Sequence, residues 1–137
     1  MFNKFAKYTL ADREFHLVFS LAAMQQVINK YGSVQALTEI QETEDIGESM
    51  EMVSWLFATL ANQGEWIMNG GKQPADLITP EWAAMFIMPG EIKAVMSACN
   101  EAMILGMGTE HRRGENEVVD VVLEELESEQ KNLKGAE

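Results

Sequence analysis

The chain has 137 residues, 47% of them hydrophobic, which is enough to build the core of one domain. Its formal net charge of −12 argues against nucleic acid or an anionic membrane as a partner, because binding to phosphate needs clustered Lys and Arg. The only cysteine, Cys99, excludes an intrachain disulfide and favours a reducing cytoplasm. We expect no secretory signal peptide, since no long apolar run follows Lys4 and Lys7.

Two alternating runs near the N-terminus predict a β-hairpin. Its strands cover 7–10 and 14–19, and its turn is Ala11-Asp12-Arg13. Large apolar side chains occupy every second position of the second strand, as expected of a strand with one buried face. These side chains are Phe15, Leu17 and Phe19.

The period then changes to that of a helix over 21–32. Ser20 is a suitable N-cap, and Gly32 is a suitable left-handed stop. One stripe of this helix is apolar and is expected to face the core. The stripe consists of Leu21, Met24, Ile28 and Tyr31, with Val27 beside them.

A short helix over 33–40 and an acidic, partly exposed segment over 39–51 precede the strongest helix prediction, 48–69. Apolar residues surround most of this long helix, which is typical of a helix at the centre of a bundle. Gly64 either allows close packing or weakens the helix locally. The main stripe is Met50, Val53, Phe57, Leu60, Ile67 and Met68, and Met52, Trp55, Leu56 and Trp66 extend it.

Two further helices follow a loop over 72–78. Thr79 as N-cap and Pro80 at the first helical position begin a short helix, which Pro89-Gly90 ends. The last helix covers 91–105, before Gly106 and Gly108. The short helix carries Trp82, Met85, Phe86 and Met88, and the last helix has the stripe Ile92, Val95, Met96, Cys99 and Met103.

The predicted fold is mainly α, a small helical bundle with an N-terminal β-hairpin packed against it, in the α+β class. Residues 1–108 form the hairpin and helical domain, 109–117 form a polar linker, and 118–137 form an amphipathic helical tail. Such a tail either folds back on its own domain or docks on a partner.

Residues suited to catalysis are sparse. His16 and His111 are far apart and lack a second metal ligand at helical spacing, and Cys99 is on the apolar stripe of a helix. The acidic segment 39–51 lacks the alternation of a calcium loop. We therefore expect no catalytic residues, no metal and no cofactor. The few polar candidates for a pocket are Glu65, Asn69 and Glu101.

Methionines give a stronger indication of function. Ten occur in the chain, and the run Met85-Phe86-Ile87-Met88 cannot place all four side chains in one core. Methionine is common on surfaces that accept varied apolar partners. We therefore expect another part of the chain, a second copy or a client protein to cover this run, and we hypothesise that the run and the tail bind a client or a second copy. The predicted partner-binding residues are Met85, Phe86, Met88, Val119, Val122, Leu123 and Leu126.

The opening layout resembles the tail assembly chaperones of siphophages and prophages. Members often have a short strand, a turn and a second strand that leads directly into a helix ending in an aromatic or apolar residue and glycine. The matching pieces here are 8–10, 13–19 and 21–32, the last ending in Lys30-Tyr31-Gly32. The acidic segment, the long helix and the small helical remainder also look like that family.

The resemblance implies a non-catalytic protein that binds the tape measure protein in the cytoplasm of the infected cell. It would keep that protein soluble, help to recruit tail tube subunits, and be absent from the finished virion. The main alternative is a structural head–tail connector or tail terminator that forms a ring. A stable ring needs a persistent oligomer interface, whereas the chaperone is expected to be a monomer or a weak homo-oligomer. An enzyme is the third alternative.

Overall fold

The computed structural model describes residues 2–43 and 45–108. In this part of the chain, two strands and five α-helices are present, with a 3-10 turn before the last helix. The elements are β1 Ala6–Leu10, β2 Arg13–Leu17, α1 Leu21–Tyr31, α2 Gln35–Glu42, α3 Ile46–Met68, α4 Pro80–Phe86, the turn Pro89–Glu91 and α5 Ile92–Met107. The predicted linker and tail lie outside the described residues.

The hairpin is antiparallel, with Ala6 opposite Leu17 and Leu10 opposite Arg13. Its turn has two residues, Ala11 and Asp12, whose φ angles are 54° and 62°. The prediction of a three-residue turn was therefore wrong, because Arg13 already belongs to β2. Positive φ at both central residues gives a turn whose twist matches that of the strands.

The hairpin packs on α3 and α5. Phe15 and Leu17 are fully buried, as the alternation predicts. After Leu17 the chain leaves the strand pairing, and the Val18 amide donates to the Leu60 carbonyl of α3 over 3.1 Å. The predicted second strand was thus too long at its end, because its last residues pair with a helix and not with β1.

Gly64 makes this contact between β2 and α3 possible. A Cβ atom at that position would lie 1.7 Å from the His16 carbonyl oxygen. The prediction that Gly64 allows close packing is confirmed.

The predicted ends of α1 are confirmed. The Ser20 hydroxyl accepts a hydrogen bond from the Ala23 amide over 3.1 Å, and Gly32 has a φ of 93° at the other end. The placement of Leu21 in the core was wrong, since its side chain is 76% exposed. The helix buries Ala23 and Val27, and Leu21 lies about 200° around the helix from Ala23.

The centre of the fold is α3, which contacts β2 and the other four helices. It begins at Ile46, two residues before the predicted start, because the Asp45 carboxylate accepts a hydrogen bond from the Glu48 amide over 3.0 Å. Its buried residues all lie between Met52 and Gly64. Met50 and Met68 were wrongly placed on the core stripe, since neighbouring elements cover only the middle of this helix.

The helix α4 begins as predicted, with the Thr79 hydroxyl accepting from the Trp82 amide over 3.0 Å. The loop before it is held to α3 by Asn62, whose side chain makes two hydrogen bonds of 2.8 Å with the backbone of Ile78. Met88 lies beyond the helix, which ends at Phe86, so the prediction that Met88 is helical was wrong.

The helix α5 continues to Met107, two residues past the predicted end, and Gly108 caps it in the left-handed conformation. Gly106 lies inside the helix, where a Cβ atom would be 2.4 Å from the Phe19 carbonyl oxygen. The prediction of a helical bundle with a packed N-terminal hairpin is confirmed. None of the helices in the described ranges has the length and apolar content to cross a bilayer.

Candidate partner-binding site

An apolar groove of about 550 Å³ lies where the first turns of α3 face the end of α4 and the start of α5. Its side chains come from three separate parts of the sequence, so only the folded chain assembles it. We call it the methionine groove and define it by Met50, Val53, Met85, Ile87, Met88 and Ile92.

The three methionines form the exposed part of the groove. Met50 is 50% exposed, Met85 is 69% exposed and Met88 is 55% exposed. The floor is Val53, which is buried, and Ser54, whose hydroxyl donates to the Met50 and Glu51 carbonyls over 3.1 Å each. Because the Ser54 hydroxyl is bonded within its own helix, the groove is suited to apolar side chains.

Pro89 shapes one wall of the groove. The residue before a proline avoids the helical conformation, and Met88 accordingly has φ −83° and ψ 148°. The helix α4 therefore ends, and the extended chain carries Ile87 and Met88 past the side of α3. This is why one short run supplies three of the groove residues.

Glu91 fixes the position of Met88. One carboxylate oxygen accepts a hydrogen bond from the Met88 amide over 3.0 Å, and the other accepts one from the Tyr8 hydroxyl of β1. These two hydrogen bonds, the one from Tyr8 first, lower the pKa of Glu91. Burial, and then the bond to Glu91, raises the pKa of Tyr8 to about 12. The groove wall is thereby tied to the hairpin.

The predicted partner-binding residues divide into three groups. Met85 and Met88 line the groove. Phe86 is 37% exposed, but its ring packs on the Trp82 ring at 4.6 Å between centroids, outside the groove lining. The other four predicted residues lie outside the described part of the chain: Val119, Val122, Leu123 and Leu126.

The sequence prediction placed Met50 on the main stripe of the long helix and did not include it among the partner-binding residues. A signal for it exists, because Met50 is in the first turns of a helix and its neighbours Gly47, Glu48 and Glu51 are small or charged. An apolar residue with such neighbours at a helix end is a candidate for exposure.

The described residues considered for catalysis or metal binding do not come together in one pocket. Burial raises the pKa of the Cys99 thiol to about 12, which opposes formation of the reactive thiolate. Glu65 forms an ion pair with Arg13 at 3.2 Å, and the Asn69 amide donates to the Lys72 and Gln73 carbonyls.

The other two described candidates are equally isolated. The His16 ring contacts Phe5 edge-on, with 4.7 Å between the ring centroids. Glu101 lies in a separate shallow hollow with Lys93. Within the described ranges, His, Cys, Asp and Glu form no group that could hold a metal ion.

Comparison with known proteins gives no match. No family model, curated protein or solved structure matches the chain. The methionine groove and the layout of the opening hairpin and helix are the features of the chain that bear on function.

Proposed function

We propose that the chain is a non-catalytic tail assembly chaperone of a phage or prophage, which binds the tape measure protein in the cytoplasm of the host cell. In this proposal it keeps that client in solution and helps to recruit tail tube subunits. The observation that supports the proposal best is the methionine groove, in which three flexible apolar side chains are exposed around one concave surface.

The size of the exposed apolar surface suits reversible binding. Fully burying a methionine contributes about 1.5–3 kcal/mol, and each of the three is between 50% and 69% exposed. Covering them all would contribute about 3–5 kcal/mol before the entropic cost of association. A chaperone must release its client, and a contact of this size permits release.

The acidic composition supports the same function. A net charge of −12 on the chain opposes aggregation of its complexes with an apolar client, because like-charged complexes repel one another. The hairpin followed by α1 supports the choice of client, because this layout is the part that resembles tail assembly chaperones.

Co-expression tests the proposal. The tape measure protein from the same phage or prophage is expressed with and without this chain, and its soluble fraction is measured after centrifugation. We expect the soluble fraction to rise when the chain is present and the complex to be recovered by affinity purification. Equal insolubility with and without the chain would contradict the proposal.

A further inference from the structure

The elements that form the methionine groove are almost free of basic residues. No Lys, Arg or His occurs between Lys30 and Lys72, and none occurs between Lys72 and Lys93. The first interval carries the carboxylates Glu39, Glu42, Glu44, Asp45, Glu48, Glu51 and Glu65, and the second carries Asp76, Glu81 and Glu91.

These charges reach the groove itself. Among the described side chains that line it, Glu51 alone is charged, and it is 69% exposed. Gly47 also lies in the lining. Glu48 follows it in the sequence, and the Asp45 Oδ1 atom would lie 3.4 Å from a Cβ atom at Gly47.

Two basic residues on neighbouring helices, Lys30 and Lys93, do not line the groove. Lys30 forms an ion pair with Glu51 at 3.4 Å and lies over the Tyr31 and Trp55 rings. Lys93 belongs to the separate hollow that contains Glu101. The groove is therefore apolar inside. Because Lys30 offsets the charge of Glu51, the acidic character at the start of α3 comes from Asp45 and Glu48.

The groove walls also limit the backbone conformation of an occupant. Among the described residues, the walls consist of helix residues and the 87–89 segment, and neither strand of the hairpin contributes to them. An extended peptide would find no strand edge with which to pair. A helix satisfies its own backbone hydrogen bonds and can insert one apolar face.

From this combination we infer that the methionine groove binds an amphipathic helical segment of the client, with large aliphatic or methionine side chains on one face and Lys or Arg beside them. The inference rests on the proposed function, and it specifies which part of the client is bound. Electrostatic attraction between the basic flanks and the acidic end of α3 sets the orientation and speeds association. A second copy of this chain and its own acidic residues 118–137 lack this complementarity.

Three synthetic peptides provide the test with the full chain. Each is a fluorescently labelled amphipathic helix of about five turns with the same leucine and methionine face. The polar faces are basic, neutral or acidic. Fluorescence anisotropy is measured at about 50 mM and about 500 mM salt, which differ strongly in electrostatic screening.

We expect the basic peptide to bind about tenfold more tightly than the neutral one at low salt, and the acidic peptide not to bind. The difference should shrink at high salt. A neutral or acidic peptide that binds as tightly as the basic one would overturn the inference. An acidic peptide that binds best would favour the chain's own residues 118–137 as the occupant.

Matched variants locate the binding. We expect the Met85→Gln and Met88→Gln double variant to bind the basic peptide about tenfold more weakly than the wild-type chain does, because both side chains line the groove. Met68→Gln is the control, since Met68 is 45% exposed at the other end of α3. Unchanged binding by the groove variant, or equal loss in the control, would overturn the inference. Thermal unfolding of each variant shows whether it is folded.

Charge variants separate attraction from packing. Glu48→Gln with Glu51→Gln should remove most of the preference for the basic peptide, whereas Glu101→Gln should leave it unchanged. If the Glu101→Gln control also lost the preference, the preference would not come from carboxylates beside the groove.

A dimer that the Met85 and Met88 substitutions abolish would make a second copy the occupant and would overturn the inference.

The peptide test and the co-expression test can fail separately. If all peptides bind equally but the client is still solubilised, the charge preference is wrong and the chaperone proposal stands. If the basic peptide binds as expected but the client stays insoluble, the chaperone proposal is wrong and the groove preference stands.

Discussion

At the scale of single residues, Gly64 shows how packing can reverse a helix propensity. It lies in the interior of α3, where alanine is normally preferred to glycine by about 1 kcal/mol. In this structure the space of a Cβ atom is occupied by the His16 carbonyl, which is backbone and cannot rotate away. The strand β2 and the helix would have to separate to admit a methyl group.

Gly64→Ala is therefore expected to lower the free energy of unfolding by about 1–3 kcal/mol, as overpacked core sites do. Urea denaturation measures this change. Gly90→Ala is the control, because no atom beyond the two adjacent residues lies within 4 Å of a Cβ there. It should change stability by less than about 0.5 kcal/mol. A stabilised Gly64→Ala variant would contradict the packing of β2 against α3.

A second prediction at this scale concerns the hydrogen bonds of Glu91. Its pKa is lowered from 4.5, so its ionised form stabilises the folded chain above that pH. This contribution is lost as the pH falls below 4.5 and through the lowered pKa. Because the group is near solvent, we expect an effect of less than about 1 kcal/mol.

Thermal unfolding between about pH 7 and pH 3 checks the prediction. Glu91→Gln should be less stable than the wild-type chain at neutral pH, and the difference should disappear in acid. Tyr8→Phe removes the donor and should show the same dependence. A difference that is constant with pH would contradict the assignment.

At the scale of elements, the hairpin turn is built with unfavourable residues. Ala11 and Asp12 both have positive φ, a conformation that costs an ordinary residue about 1 kcal/mol and that Asn and Gly adopt more easily. The hairpin forms because Phe15 and Leu17 bury against the helices, and not because its turn favours it.

Ala11→Asn with Asp12→Gly should therefore raise the free energy of unfolding by about 1 kcal/mol. The melting temperature measures the change. Ala22→Gly on the exposed side of α1 is the opposite control, because it should cost about 1 kcal/mol of helix propensity. A destabilising Asn-Gly turn would show that the two positive φ angles are wrong.

The elements that local signals specify were predictable from the sequence. Ser20, Gly32 and Thr79 mark helix ends through hydrogen bonds and backbone conformations that depend on few neighbours. The hairpin turn was misassigned because Ala11-Asp12 lacks the usual Asn-Gly pattern. Leu21 was misplaced because periodicity cannot say which stripe of a weakly amphipathic helix meets its neighbours.

The candidate site was predictable only in part. The run from Met85 to Met88 was singled out because one short helix cannot bury four large apolar residues. Met50 was not singled out, because its exposure depends on where α4 and α5 stop covering α3. That boundary depends on how α4 and α5 pack on α3, and this tertiary packing cannot be inferred from local sequence.

At the scale of the whole molecule, charge opposes self-association. Each copy carries a net charge of −12, and the exposed methionines lie beside an acidic helix start. Two copies that met at the groove would bring like charges together. The chaperone proposal therefore predicts a monomer or small oligomers that dissociate on dilution.

Size-exclusion chromatography with light scattering measures this directly over a range of concentrations. We expect the mass to approach that of one chain on dilution, with more association at high salt because repulsion is screened. A hexameric or larger ring that persists on dilution would instead support a head–tail connector or tail terminator.

The soluble fraction of the tape measure protein, co-expressed with matched methionine variants, tests the central claim most directly. The wild-type chain and Met68→Gln should both keep the client soluble. The Met85→Gln and Met88→Gln double variant should lose most of this effect while it unfolds at the wild-type temperature, because its substitutions lie at exposed groove positions. Full solubilisation by the double variant would contradict the claim that the client binds in the methionine groove.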